Sequence, residues 1–312
     1  MRLAVHAYAG LVADDPLDLV VSSLHIRYGA TIAVHDATFR ARRGEVTAVV
    51  GPNGAGKTST IEACEGFRPI DAGTISVLGL DPSRDRARLA RRTGVMLQQG
   101  GIYPTARVGE TVRLFCTLHG SVVDPDALLD RLGLAPLAAR PWRQLSGGEQ
   151  QRLSLALALA ANPEVAFLDE PTNALDLDAR AVVRNVVREL AGSGAIVVVA
   201  THELAEAERF ADSVVVFDQG RTIGQFAIDE VRRGNGVRVR FDRPVDQTRL
   251  SGMIGDVADE GEGWWRATAH SEVGPVVAAL QPLAADGTAI ILDVKPADSG
   301  LEAHVQRMLG RS

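Results

Sequence analysis

The sequence predicts an α/β fold carried by a largely parallel sheet, with a small α+β unit behind it. Three observations lead there. A glycine loop, Gly51 to Gly56, joins the apolar segment Val46 to Val50 to a helical segment beginning near Thr58. Two further segments, Val165 to Leu168 and Ala195 to Ala200, are nearly continuous apolar runs, the pattern of strands covered on both faces. After a turn-rich stretch at 232–236, apolar alternation and helical spacing follow in βαββαβ order with one extra helix, which suggests a small ferredoxin-like module.

In chain order, apolar and polar positions alternate around Tyr28-Gly29 and Arg43-Gly44, predicting strands near 20–27, 32–40 and 45–50. Helical character follows from Thr58 and stops at Gly66; strands are expected at 74–78 and 93–98. Residues 105–162 read as mostly helical, broken at Asp124-Pro125, Ala135-Pro136 and Arg140-Pro141. An arginine-rich amphipathic helix is expected over 178–191, and a last strand with a hairpin over 212–225. Behind the linker come strand 237–241, helix 246–254, strands near 256–259 and 264–269, helix 271–284, strand 288–294 and helix 300–310. The expected organisation is an N-terminal extension (1–18), a main domain (19–231) and a small C-terminal domain (237–312).

With 312 residues, 46% of them hydrophobic and 23% charged, the chain has ample material for a core. Its net charge of −6 argues against a protein that coats nucleic acid. Cys64 and Cys116 fit no metal or disulfide spacing and read as reduced thiols. No run approaches the ~20 apolar residues of a membrane helix, and the first twenty residues lack the apolar core of a signal peptide.

Only two lysines, Lys57 and Lys295, stand among 33 basic residues. A chain that uses arginine almost everywhere keeps lysine at Lys57, where a compact point charge on a flexible stem suits a tight loop better than a planar fork. Gly51-Pro52-Asn53-Gly54-Ala55-Gly56-Lys57-Thr58 matches the phosphate-loop pattern between a strand and a helix. Its glycines let backbone N–H groups converge on β- and γ-phosphates at a helix N-terminus. Lys57 would bridge phosphate oxygens and the Thr58 hydroxyl would ligate Mg²⁺. Asp169 and Glu170 end an apolar strand at the edge where ligands of α/β sheets collect. Asp169 suits the Mg²⁺ water shell, and Glu170 suits a base for an attacking water. Leu145-Ser146-Gly147-Gly148-Glu149 opens a helix with exposed N–H groups, a second anion site that one nucleotide does not require.

Together these motifs resemble those of the ATP-binding cassette (ABC) ATPases, the nucleotide-binding subunits of ABC transporters, over about residues 20–228. The resemblance implies a P-loop fold of ABC type, with an antiparallel β subdomain and an α-helical subdomain. Tyr28 matches the aromatic residue that stacks on adenine, and Ser59 follows the phosphate loop. Gln98, with Gln99 beside it as the alternative, matches the glutamine that senses Mg²⁺ and faces the membrane partner. Residues 145–149 match the signature motif, with Glu149 where glutamine is commoner. Asn173 to Asp176 matches the D-loop, and His202 the switch histidine at the γ-phosphate. The implied partners are a second cassette, packed head to tail, and a separate integral-membrane permease. The implied cofactors are ATP and Mg²⁺, and the implied place is the cytoplasmic face of the membrane. Nucleic acid is not expected.

No heptad insertion separates Lys57 from Ser146, which disfavours the coiled-coil chromosome relatives, and a single cassette disfavours the tandem translation factors. Those soluble switches, and an importer subunit, stand as alternatives. The short tail resembles drug- and antibiotic-exporter ATPases that work with an ABC-2-type permease. Trp264 and Trp265 read either as an interface or as core.

Overall fold

The computed structural model describes residues 15–96, 101–120, 122–233, 236–267, 273–297 and 300–309. Residues 1–14 of the expected extension, and Gln98 with Gln99, lie outside them. The chain divides into two units, Met1–Phe226 and Ala227–Ser312.

The first unit holds strands β1 (Leu19–Tyr28), β2 (Thr31–Ala41), β3 (Val46–Val50), β4 (Ala72–Val77), β5 (Thr93–Met96), β6 (Val165–Asp169), β7 (Ile196–Thr201), β8 (Ser213–Asp218) and β9 (Arg221–Ala227). Its helices are α1 (Lys57–Cys64), α2 (Arg86–Leu89), α3 (Val108–His119), α4 (Pro125–Arg131), α5 (Gly147–Leu159), α6 (Leu177–Gly192) and α7 (Leu204–Phe210). All nine strands form one sheet in the order β4-β1-β2-β9-β8-β3-β7-β6-β5. The β4-β1-β2 end is antiparallel, and β8-β3-β7-β6-β5 is parallel. Every residue of β3 and β7 is buried, Thr47 and Thr201 included, within nearly continuous apolar runs. Phe39 and Phe217 meet edge to face at 6.1 Å inside this core.

The expected breaks in the helical stretch carry structure of their own. Asp124 caps α4 by accepting the Asp126 N–H at 3.0 Å, with Pro125 at the first helical position, where its missing N–H costs nothing. Ala135–Leu137 and Trp142–Gln144 are single 3₁₀ turns. Helix α7 is not anticipated by the sequence reading, although Leu204, Ala207 and Phe210 recur at helical spacing. At the other end, Asp18 is buried; its carboxylate pairs with Arg40 at 2.7 Å and accepts the Arg43 N–H at 3.0 Å.

The second unit contains α8 (Ile228–Arg233), β10 (Val237–Phe241), α9 (Gln247–Ile254), β11 (Val257–Gly261), β12 (Trp264–Ala267), α10 (Val273–Ala285), β13 (Ile291–Pro296) and α11 (Leu301–Met308). Its antiparallel sheet runs β11-β12-β10-β13, the order of a ferredoxin-like fold. Val237, Val239, Phe241 and Trp265 pack with Leu250, Val276 and Leu280. Trp265 is therefore core. Trp264 points to the other face, where Arg238 and Lys295 lie 4.7 and 4.9 Å from its ring centre. Helix α8 occupies part of the stretch read as the end of the main domain and the start of the linker.

Candidate functional site

Strands β3, β6 and β7 are neighbours and parallel, so their carboxyl ends open on one edge of the sheet. Three consecutive features of the sequence meet there: the 51–58 loop after β3, Asp169 and Glu170 at the end of β6, and His202 after β7.

Gly56 caps α1 in a left-handed conformation, φ +98°, and a Cβ there would stand 2.7 Å from the Ala33 carbonyl oxygen. Only glycine fits without displacing backbone. Pro52, Asn53, Gly54 and Thr58 are exposed, while Ala55 is buried and anchors the loop by accepting the Gly220 N–H at 3.1 Å. Lys57 is buried, and its ammonium donates to the Gly51 and Pro52 carbonyls at 2.7 and 3.0 Å. Burial lowers its pKa, opposed by the charges of Glu170 and Asp169.

The Asp169 carboxylate takes no hydrogen bond among the described residues. Burial and the neighbouring Glu170 push its pKa up to about 6, against the pull of Lys57. An under-solvated carboxylate near the Lys57 end of the loop suits a hard cation that brings its own charge. Among the described residues no group of three His, Cys, Asp or Glu could hold a metal. Mg²⁺ does not need one, since it is held by one or two protein oxygens plus phosphates and water.

Glu170 is buried and sits at φ +49°, a conformation that costs a non-glycine residue about 1–3 kcal/mol. Its surroundings hold it there. Its N–H donates to Ala200 O at 2.9 Å, and its carbonyl accepts from Gln151 Nε2 at 2.5 Å and from the Asn173 N–H at 3.0 Å. One carboxylate oxygen meets His202 Nδ1 at 2.6 Å and the His202 N–H at 3.1 Å; the other accepts from Thr201 Oγ1 at 3.2 Å.

Tyr28 bonds Ser59 Oγ through its hydroxyl at 3.0 Å. The Arg68 guanidinium lies 4.3 Å from its ring centre and is itself held by Glu62. Ser146 caps α5 in a reciprocal box: its N–H donates to Glu149 Oε2 at 2.7 Å, and the Glu149 N–H donates to its hydroxyl at 3.3 Å. That first bond holds the Glu149 carboxyl below its usual range. Gly147 and Gly148 follow against Ala174 and Leu175. Asp176 caps α6 by accepting the Ala179 N–H at 2.8 Å. No hydrogen bond or ion pair joins 146–149 to the phosphate loop among the described residues. The two expected anion sites of one chain are therefore linked by no such bond among those residues.

Sequence reasoning assigned no role of their own to Gln151, Thr201 and Arg180. Gln151 lies two residues past the signature, and Arg180 belongs to a helix read only as amphipathic. Nothing local marks either as a neighbour of the 169–202 cluster.

A family model described as "ABC transporter" matches residues 34–173. The chain is 37% identical over 223 residues to the daunorubicin resistance ATP-binding protein DrrA3 of Streptomyces coeruleorubidus, covering 70% of this chain and 71% of that one. It is 36% identical over 219 residues to the Nod factor export ATP-binding protein I of Ralstonia nicotianae, covering 69% and 68%. It is also 34% identical over 291 residues to the Fe(3+) ions import ATP-binding protein FbpC 1 of Rhodococcus jostii, covering 89% and 84%. A solved ATP-binding subunit of an ABC transporter superposes with a TM-score of 0.64 at 28% identity, covering 69% of this chain and 92% of that one.

Proposed function

The chain belongs to the ABC transporter family as an ATP-binding subunit with ATPase activity, and from that premise we propose that it powers export of organic molecules, drugs or antibiotics among them, through a separate membrane permease. The observation that carries the assignment of roles is the convergence of Lys57, Asp169, Glu170 and His202 on the shared edge of β3, β6 and β7.

In this reading the Lys57 ammonium exchanges the Gly51 and Pro52 carbonyls for β- and γ-phosphate oxygens, beside the N–H groups of 51–58. Thr58 and Asp169 would hold Mg²⁺, with Gln98 as its sensor, and the bound ion would supply neutralising charge at the phosphate oxygens. Glu170 takes the proton of the attacking water, and His202 leaves Glu170 to contact the γ-phosphate. Tyr28, with Arg68 over its ring, offers its remaining face to adenine. Ser146, Gly147, Gly148 and Glu149 close over the nucleotide of a second copy packed head to tail, with Asp176 in the loop between them. Two separate anion sites per chain support that pairing.

Export is favoured by the daunorubicin-resistance and Nod-factor-export relatives. Among the described residues no helix is long and apolar enough to cross a membrane. In this reading a separate permease supplies the membrane path, as the family resemblance implies, with this subunit at the cytoplasmic face. Import is the second reading, favoured by the FbpC 1 match, whose 291 residues extend beyond the cassette.

Co-expression with a multi-spanning permease tests this. Inside-out vesicles should accumulate daunorubicin with ATP and not with Glu170→Gln. ATP-driven loss of a solute from those vesicles would favour import. Phosphate release that rises only with DNA or ribosomes would replace transport by a soluble switch.

A further inference from the structure

Arg180 stands in the first turn of α6, four residues past its cap Asp176. Its guanidinium reaches three ways. Nε donates to the Leu175 carbonyl at 3.1 Å, and the two terminal nitrogens donate to the Glu203 carboxylate at 2.7 and 3.4 Å. The nearer one also lies 3.5 Å from Glu206. Leu175 belongs to the 173–176 loop, and Glu203 directly follows His202. The chain of bonds continues inward: the Glu203 N–H donates to Thr201 Oγ1 at 3.0 Å, and Thr201 Oγ1 donates to Glu170 Oε2 at 3.2 Å. From the other side, the signature helix touches the same loop. A Cβ on Gly148 would stand 3.1 Å from the Leu175 side chain and 3.2 Å from the Ala174 carbonyl.

We propose that Arg180 is a positioning residue of the ATPase. It fastens the 173–176 loop to the turn carrying His202, so that a second cassette arriving at this loop sets the Glu170–His202 geometry. The partner's part rests on the head-to-tail reading above. The role demands the planar fork of arginine, because a lysine ammonium cannot serve a carbonyl and both oxygens of a carboxylate in one geometry. It is separable from holding α6 to α7. Buried Glu206 is also held by Arg184 at 3.1 Å and Arg209 at 3.0 Å, and neither shows a bond to the loop. Losing Arg180 therefore leaves that clamp in place and cuts the link to the loop.

The test uses the purified full chain with Mg²⁺ and ATP. Arg180→Ala and Arg180→Lys should each lower kcat by about 10- to 100-fold, the scale of a small misplacement at a reacting centre, with KM for ATP unchanged within about twofold. Arg184→Ala, which weakens only the Glu206 clamp, should lower the melting temperature yet keep kcat per folded molecule. Wild-type kcat in Arg180→Lys, or an equal loss in Arg184→Ala, overturns the proposal. If Arg180→Ala does not fold, Glu203→Gln reads the same link and should lose kcat alone. Pairing is read separately, from the elution of Glu170→Gln with ATP. A monomer there removes the head-to-tail reading and the partner's role, whereas unchanged turnover in the Arg180 variants removes the strut itself.

Discussion

His202 Nδ1 lies 2.6 Å from Glu170 Oε1, and the His202 backbone N–H reaches the same oxygen at 3.1 Å. The pairing follows from strand register. Asp169 on β6 stands opposite Ala200 on β7, so the residues just beyond both strand ends emerge side by side. In the proposed mechanism Glu170 serves as the base, and its pairing with His202 occupies the oxygen that the attacking water needs. Drawing His202 away toward a γ-phosphate would release it.

Glu170→Gln should cut phosphate release by about 10²-fold or more, the usual contribution of a general base. ATP binding should persist, and an ATP-bound dimer should accumulate on a sizing column. Parental turnover in this variant would remove Glu170 from the proposed mechanism.

Lys57→Arg should lose nucleotide affinity despite keeping the charge, because a guanidinium does not fit the tight site where the ammonium bonds the Gly51 and Pro52 carbonyls. Fluorescent ATP analogue titration reads this directly, and wild-type affinity would contradict it. Gly56→Ala should fail as well, and should also destabilise the apo chain by about 1–3 kcal/mol, since its φ of +98° and the Ala33 carbonyl leave no room for a Cβ.

Stability of the nucleotide-free chain should fall as pH rises. Burial and the neighbouring Glu170 push the Asp169 carboxyl up to about 6, from an ordinary value of 3.8. The fold thus binds its proton more tightly than the unfolded chain does. The stability this contributes is fully present below the unfolded pKa and lost as pH rises through about 6. Glu65, pushed up to about 8 by burial and by Glu62, adds a second loss through about 8. Asp169→Asn should erase the lower step and raise the apo melting temperature at pH 7 by a few degrees, roughly the response of a domain this size to 1 kcal/mol. Glu65→Gln should erase the upper step. Melting curves from pH 4 to 9 decide; wild-type profiles in both variants would refute the assignment.

Glu149→Gln should keep the reciprocal cap and lose only its charge at the N-terminus of α5, costing about 0.3–1 kcal/mol. In the head-to-tail reading it should also strengthen ATP-driven pairing, since a carboxylate at this position repels the partner's phosphates. Chemical denaturation and sedimentation measure the two effects, and weaker pairing would place Glu149 outside the closing surface.

Much of this molecule is legible in one dimension. The phosphate loop is a run of eight residues whose glycines are required by backbone geometry, so its chemistry is local. Strands β3, β6 and β7 declare themselves because burial on both faces favours apolar side chains almost throughout, with Thr47 admitted through its bond to Ser213. The βαββαβ order of the second unit is legible in its alternating periods, although α8 and α7 escaped notice beside stronger signals.

What no window of sequence contains is which side chains meet. Glu170 and His202 are 32 residues apart, Gln151 and Glu170 are 19 apart, and Arg180 and Glu203 are 23 apart. Each contact depends on strand register and on how a helix packs over the sheet. The sequence by itself determined the class of fold, the phosphate loop and the acids that follow it. Only the tertiary structure decided that Glu170 is held at a left-handed φ by Gln151, Asn173 and Ala200, that Asp169 takes no hydrogen bond among the described residues, and that Arg180 ties one loop to the other. The reason is physical. Backbone conformation and burial pattern are set by neighbours in the chain, while side-chain partners are set by neighbours in space.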